Sequence, residues 1–450
     1  MKFRGLLVAV VALAALGGFL YWSQKHPDAL KPKTSETPLT PALVHVSDKS
    51  ITGVTLQKRG AAPITLVSNP SGQWTITAPI SAPTNHGSMT RLLGDLSNLR
   101  AGAVIADHAT DLKPYGLADP SFTVDIAEQG NRTERLLVGD STPTNNGVYA
   151  MVPGDPRVYT IPSFVNDTLN EPLDKLRDKR LLPFNVGDVT GVELDRNGQT
   201  IVIDHQQGTW QIEKPAPYRA SDNTVDSLLH DLVNAKFDSS VTPEEAASGF
   251  AKAAPFETIR LTAGQGAETD TLEVRKAKIG GDFYGKTSVM PGTWKLDPSI
   301  DSALTKNLDD FRNKQIFDFG FTEPLNIDYH ANGTNLSLVR SNDDWFQNGQ
   351  KMDSESVEAL VSALRGLAAG KFVTSGFSKP DVEITVVSRN GKLIEKVQLE
   401  KTKDGAIARR EDGPTLYALD ADTVNPLFSA ADGVKAAAPA PAPAPAPAKK

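Results

Sequence analysis

The chain has 450 residues with 35 Gly, 31 Pro and no Cys, and 47 Lys+Arg stand against 54 Asp+Glu. At roughly 100–200 residues per domain, that length suits two to four domains, each able to bury its own core. The missing cysteine excludes disulfides, thiolate metal sites and thiol nucleophiles, and a net charge of −7 lacks the basic excess of a nucleic-acid binder.

Lys2 and Arg4 precede an uncharged run from Gly5 to Ser23. As a helix those residues span roughly 28 Å, enough for a hydrocarbon core, and Tyr21 and Trp22 stand at the far end where amphipathic rings favour the headgroups. Residues 1–23 therefore read as a signal anchor and transmembrane helix. The alternative is a signal peptide cleaved after Ala12-Leu13-Ala14, which leaves only Leu6 to Val11 as its apolar core. Either way the basic end stays in the cytoplasm and the bulk of the chain is exported, extracytoplasmic. Residues 24–43 carry four prolines and few large apolar residues, a tether reaching up to roughly 60 Å. Residues 435–450, largely alternating Pro and Ala, read as a disordered, polyproline-like tail, either an inert spacer or a docking arm.

Between tether and tail the chain repeats itself. Trp74, Trp210 and Trp345 each close a short β-like pair and precede a helix of one design. Met89, Leu92, Leu93, Leu96 and Leu99 form one apolar stripe; Val225, Leu228, Leu229, Leu232 and Ala235 form the second. Val357, Leu360, Val361, Leu364 and Leu367 form the third. Offsets of 0, 3, 4, 7 and 10 mark one face of an amphipathic helix, and Asn85, Ser221 and Asp353 stand four residues earlier as N-caps. Pro120, Pro255 and Pro380 then open alternating runs, FTVDI, FETIRL and VEITVV, followed by turn residues and a second hairpin holding Tyr149 with Tyr159, Tyr284 with Trp294, and Ile407 with Tyr417. A short helix closes the first two units at LRDKRLLPF and FRNKQIFDF, whereas the third runs out at Leu427. Hairpin-linked strands imply antiparallel sheets with packed helices, an α+β class. The expected architecture is three tandem homologous modules at 44–186, 187–321 and 322–434, the last divergent and shorter. The three tryptophans serve as equivalent core anchors rather than a sugar-stacking platform.

One chemical motif matches formally. Gly280, Gly285, Lys286 and Thr287 satisfy G-x-x-x-x-G-K-[ST], in which glycines wrap a phosphate at a helix N-terminus. Here Pro291 and Gly292 stand where that helix should run, and the repeat places Gly285, Lys286 and Thr287 over Ala150, Met151 and Val152 in a strand. The nucleotide reading is therefore rejected. Asp318-Phe319-Gly320 spells the kinase magnesium triplet without its companion motifs and reads as a module junction. Asp343-Asp344 and Glu244-Glu245 suit a turn and a helix start. The seven histidines never cluster, so no metal site is expected, and no G-x-S-x-G elbow is present. Arg177 and Arg312, at matching places in LRDK and FRNK, read as partners of a carboxylate or helix end within their own modules rather than anion ligands. No catalytic residue, cofactor or metal is expected.

The segments W-T-I-T-A-P at 74–79, W-Q-I-E-K-P at 210–215, L-K-P-Y-G-L-A-D-P at 112–120, L-L-V-G-D at 136–140 and L-R-D-K-R-L-L at 176–182 together carry a resemblance. The chain resembles an uncharacterised bacterial envelope family, the domain of unknown function 4340, most strongly over residues 50–320. The third module departs by lacking the Y-G-L-x-x-P and L-R-D-K segments. The resemblance implies a single-span exported protein, some relatives being similar to proteins encoded beside gliding-motility-type ABC transporters, and it carries no catalytic residues. The expectation is a non-catalytic, membrane-anchored adaptor or scaffold, with an envelope protein or ABC transporter complex as partner. The alternative is an envelope hydrolase or a glycan- or peptidoglycan-binding protein.

Overall fold

The structure, a computed structural model, describes residues 41–264, 268–388 and 391–438. The expected membrane span, most of the tether and most of the tail lie outside them. Among the described residues no helix is long and apolar enough to cross a membrane. The chain divides into two compact units, one ending at Asp178 and one beginning at Lys179.

The first unit holds one sheet. Its strands are β1 (Ile51–Lys58), β2 (Ile64–Ser68), β3 (Trp74–Ala78) and β4 (Ala82–Pro83), then β5 (Val104–Ala106), β6 (Phe122–Glu128), β7 (Arg132–Ser141), β8 (Gly147–Met151) and β9 (Val158–Pro162). Helix α1 (His86–Ser97) separates the two meanders, and α2 (Ser163–Leu169) and α3 (Leu173–Leu176) close the unit. The order across the sheet is β4-β3-β2-β1-β6-β7-β8-β9-β5. The first strand of each meander therefore meets the other at the centre, with Val54 opposite Ile126 and Leu56 opposite Val124.

The second unit holds two sheets of the same plan. One comprises β10 (Val189–Arg196), β11 (Gln199–Gln206), β12 (Thr209–Lys214), β13 (Tyr218–Arg219), β14 (Ala254–Ala263), β15 (Glu268–Lys276), β16 (Phe283–Thr287) and β17 (Trp294–Lys295). Its helices are α4 (Asp222–Asn234), α5 (Pro243–Lys252), α6 (Asp301–Thr305) and α7 (Leu308–Phe311). The other comprises β18 (Asn326–Ala331), β19 (Thr334–Ser341), β20 (Asp344–Gln347), β21 (Gln350–Lys351), β22 (Lys371–Val373), β23 (Val382–Ser388), β24 (Leu393–Thr402), β25 (Gly405–Arg410) and β26 (Leu416–Asp420), with α8 (Ser354–Arg365) and α9 (Ala421–Gly433). Their orders, β13-β12-β11-β10-β14-β15-β16-β17 and β21-β20-β19-β18-β23-β24-β25-β26-β22, repeat that of the first sheet. Three antiparallel sheets with packed helices make the fold α+β. The middle sheet lacks the outermost strand: a single bridge from Phe237 to Leu296 replaces it, and α5 packs against β16 and β17.

The stripes explain why each long helix covers its sheet. Of the first, Met89, Leu92, Leu96 and Leu99 are buried; every member of the other two is buried. Each fully buried aliphatic side chain stabilises by about 1.5–3 kcal/mol. Asn85, Ser221 and Asp353 accept from the backbone N–H groups of Ser88, Thr224 and Ser356, as N-caps do. The fifth stripe residue lies just past the helix end, and its carbonyl has a separate task. Leu99, Ala235 and Leu367 accept from the N–H groups of Leu43, Leu181 and Ile316 at 3.0, 2.9 and 2.9 Å, so the segment entering each sheet is tied to the exit of its helix.

Three expected boundaries move for this reason. Leu43 is buried and Ala42 bridges to Arg100, so the last residues assigned to the tether belong to the folded unit. The third sheet does not run out at Leu427: α9 continues to Gly433 with Val424, Leu427 and Ala431 buried. Beyond it Met352 bridges to Ala436, where Thr84 meets Arg177 and Ala220 meets Arg312. The start of the Pro-Ala tail thus does the job of the L-R-D-K segment.

Candidate functional site

The segment from Thr305 to Phe321 runs from the second sheet into the third, inside the second unit. Asn307 and Asp310 form a capping box at the start of α7, and the Asn313 carboxamide oxygen accepts from the Gln315 N–H at 2.9 Å. The segment is tied to the start of α4 by the Ser221 N–H on the Phe311 carbonyl at 2.7 Å, and beside that tie opens a cleft of about 960 Å³. Its walls include Ser221 to Thr224 at the start of α4, Arg312, Lys314, Asp318, Phe321 and Arg365.

Beneath this cleft lies an ionic network centred on the buried Glu395 and Arg410. Asp318 takes the Arg219 guanidinium and the Asn313 carboxamide, the latter at 3.1 Å. Arg219 also donates to the Gln315 carbonyl at 3.0 Å and to the Tyr417 hydroxyl at 3.3 Å. Arg410 binds the Ile316 carbonyl, Glu395 Oε1 at 3.0 Å and Asp412 at 2.7 Å. Burial opposes the charge on Arg410, but Asp412, Asp318 and Glu395 outweigh it and raise its pKa. Burial pushes the Glu395 carboxyl up, against the Asp318 N–H and Arg410, which favour the anion. Low dielectric strengthens each of these bonds and makes a missing partner costly.

At the rim Phe321 is 95% exposed. Arg365, the last residue of α8, donates from Nε to the Gly320 carbonyl at 2.6 Å and from Nη2 to Glu323 at 3.4 Å. Its guanidinium lies 5.7 and 5.8 Å from the ring centres of Phe319 and Phe321. An apolar ring held out beside fixed cations suits contact with a polypeptide, since aromatic and Arg anchors dominate such interfaces.

The residues singled out in the sequence are dispersed. Gly285, Lys286 and Thr287 lie on β16, paired to β15 through Gly285–Val274 and Leu272–Thr287, and Gly280 belongs to the preceding turn. Trp345 and Trp210 are buried, whereas Trp74 is only half-buried against its core. Arg312 pairs with Asp309 at 2.9 Å and is sandwiched by Tyr218 and Phe372, at 4.2 and 3.6 Å; Arg177 bridges to Thr84 in the first unit. Within Asp318-Phe319-Gly320, Phe319 is core and Gly320 serves Arg365. Glu245 closes a capping box with Thr242, and Asp343 sits in the turn before β20. His205 packs on Trp210 at 4.9 Å, His230 faces the Asp226 carbonyl at 2.8 Å and His330 faces Asn335 at 3.2 Å. Among the described residues no cluster of three or more His, Asp or Glu side chains is placed to hold a metal ion.

Sequence reading missed Glu395, Arg410 and Arg219: Arg219 and Glu395 stand 99 and 77 positions from Asp318, and Arg410 meets Glu395 across the β24–β25 pair. A signal existed for Glu395: it falls on the buried face of β24, in step with Val397 and Leu399, where a charge breaks the alternation.

No curated protein and no solved structure matches the chain. The profile of one family, described as Domain of unknown function (DUF4340), matches it twice, over residues 74–252 and 210–383. Each match starts at a repeated tryptophan and extends past one sheet into the first meander and helix of the next, so the internal repeat is also a repeat of the family's unit. The chain belongs to the DUF4340 family.

Proposed function

We propose that the protein is a non-catalytic, membrane-anchored extracytoplasmic adaptor that holds an envelope protein, as an accessory partner of an ABC-type transporter. The observation that carries this reading is the cleft rim: Phe321 stands fully out beside Arg365, whose guanidinium is fixed by the Gly320 carbonyl and Glu323. A clamped cation beside an exposed ring is pre-organised for contact, which lowers the ordering cost of association. A span at residues 1–23, with its N-terminus cytoplasmic, and a Pro-rich tether would keep that rim near a membrane partner and raise its effective concentration. An envelope hydrolase or glycan-binding protein is the second reading, favoured by the size and polar lining of the cleft.

The test is a crosslinking pull-down from membranes with the full chain, a chain lacking residues 1–23, and Phe321→Asp. The adaptor reading expects one membrane protein recovered with the full chain, depleted by both changes. Recovery of none, together with turnover of an envelope polymer by the purified protein, overturns it.

A further inference from the structure

One buried position of the second sheet carries a charge where its two sister sheets carry hydrocarbon. Two residues after Pro120, Pro255 and Pro380 stand Phe122, Glu257 and Val382. The pairing agrees, because Val124, Ile259 and Ile384, two residues further on, face Leu56, Leu194 and Tyr329 of the neighbouring central strand. All three positions are buried, at 5, 4 and 0% exposure. A carboxylate there is costly unless paired, and Arg196 supplies the partner, its Nη2 2.9 Å from Glu257 Oε2. Arg196 in turn stands where the sister sheets have Lys58 and Ala331. Three copies of one fold are their own control: packing alone is satisfied by Phe or Val, so the charged pair has another use.

Beside the pair lies a cavity of about 380 Å³, within the range of small-molecule sites. Leu194, Ile201 and Leu308 give it apolar walls, and Arg196, Glu257 and Lys306 give it polar ones. The Arg196 Nε–H is buried without an acceptor, and among the described residues no carboxylate pairs with Lys306. Two cations against one anion leave a single uncompensated positive charge next to hydrocarbon. We propose that this cavity binds a small apolar molecule bearing one carboxylate, its hydrocarbon body against Leu194, Ile201 and Leu308 and its carboxylate between Arg196 and Lys306. Glu257 then acts as a positioning residue that holds the guanidinium in place.

The probe is 1-naphthaleneacetate, titrated by calorimetry and saturation-transfer NMR into the full chain in lipid nanodiscs, with empty nanodiscs as the baseline. Saturable binding at one site per chain is expected. Lys306→Gln should weaken it about tenfold, the worth of one charge-assisted hydrogen bond. Ile201→Trp, which fills the cavity, should abolish it, and the neutral 1-naphthaleneacetamide should bind at least about tenfold more weakly than the acid. Absent saturable binding, unchanged affinity in a natively melting Ile201→Trp, or equal affinity for acid and amide overturns the proposal. If Ile201→Trp fails to fold, the half-exposed Lys306 decides: unchanged affinity in Lys306→Gln overturns the proposal by itself.

Discussion

The backbone N–H of Asp318 lies 2.6 Å from the Glu395 carboxylate in the third sheet, and at the equivalent place in the first sheet the His45 N–H lies 2.9 Å from the Glu134 carboxylate. In both, a carboxylate on the strand after the central pair fastens the segment that enters the sheet. The second sheet has Pro183 at that place, two residues after Leu181, and proline has no N–H to give. The third sheet goes furthest, because its carboxylate is wholly buried and pairs with Arg410, which in turn binds Asp412.

That burial makes the pair sensitive to losing one member. Arg410→Met should destabilise the second unit by about 3–5 kcal/mol, since it strands Glu395 as an unpaired buried carboxylate. Arg410→Met combined with Glu395→Leu should recover most of the loss. Urea unfolding of the single and double variants measures the coupling; a double variant as unstable as Arg410→Met would mean that the network does not act as a pair.

The tryptophans should rank by burial. Trp345→Ala and Trp210→Ala are expected to cost about 3–5 kcal/mol each, because both side chains are buried. The half-buried Trp74 should cost less. Denaturation midpoints test the order, and an equal loss at Trp74 would contradict it.

Gly285 and Lys286 should behave as neighbours on a strand, with opposite faces and opposite consequences. A Cβ on Gly285 would sit 2.8 Å from Leu296 Cδ2 and 3.1 Å from Leu272 Cδ1, so Gly285→Ala should destabilise by about 1–3 kcal/mol through overpacking. Lys286 is exposed, and Lys286→Ala should change stability by less than about 0.5 kcal/mol. Nucleotide binding measured by calorimetry should be nil before and after; saturable ATP binding lost in Lys286→Ala would restore the phosphate reading.

Tyr159 and Tyr329 should ionise late. Burial, helped by the bond to Asp155, raises Tyr159 to about 12, and burial raises Tyr329 to about 12. A phenol is neutral when protonated, and in the unfolded chain it ionises near 10. Their contribution to stability is full below about pH 10, falls between 10 and 12 as the unfolded state alone loses its protons, and is gone above 12. Absorbance at 295 nm should show the late step shrink in Tyr159→Phe, and the urea midpoint of the wild type should drop across that window.

The repeat, the three helices and their caps are legible in the residues alone, because a stripe at 0, 3, 4 and 7 with an N-cap four residues before it is a local instruction. The P-loop spelling is legible as strand in the same way, since Pro291 and Gly292 forbid the helix that a phosphate cradle needs. One frame was readable only by counting from the prolines: aligning the runs by their first aromatic sets Phe256 over Phe122, whereas a bulge between Pro255 and Glu257 puts Glu257 there. A one-residue slip exchanges the two faces of a strand, and so it hid the buried charge. That Arg410, Glu395, Asp318 and Arg219 share one network, and that Arg196, Glu257 and Lys306 border one cavity, comes from the fold. Those groups meet through non-local strand pairing and the path of the segment between two sheets, and no short-range periodicity records which distant side chains such a path brings together.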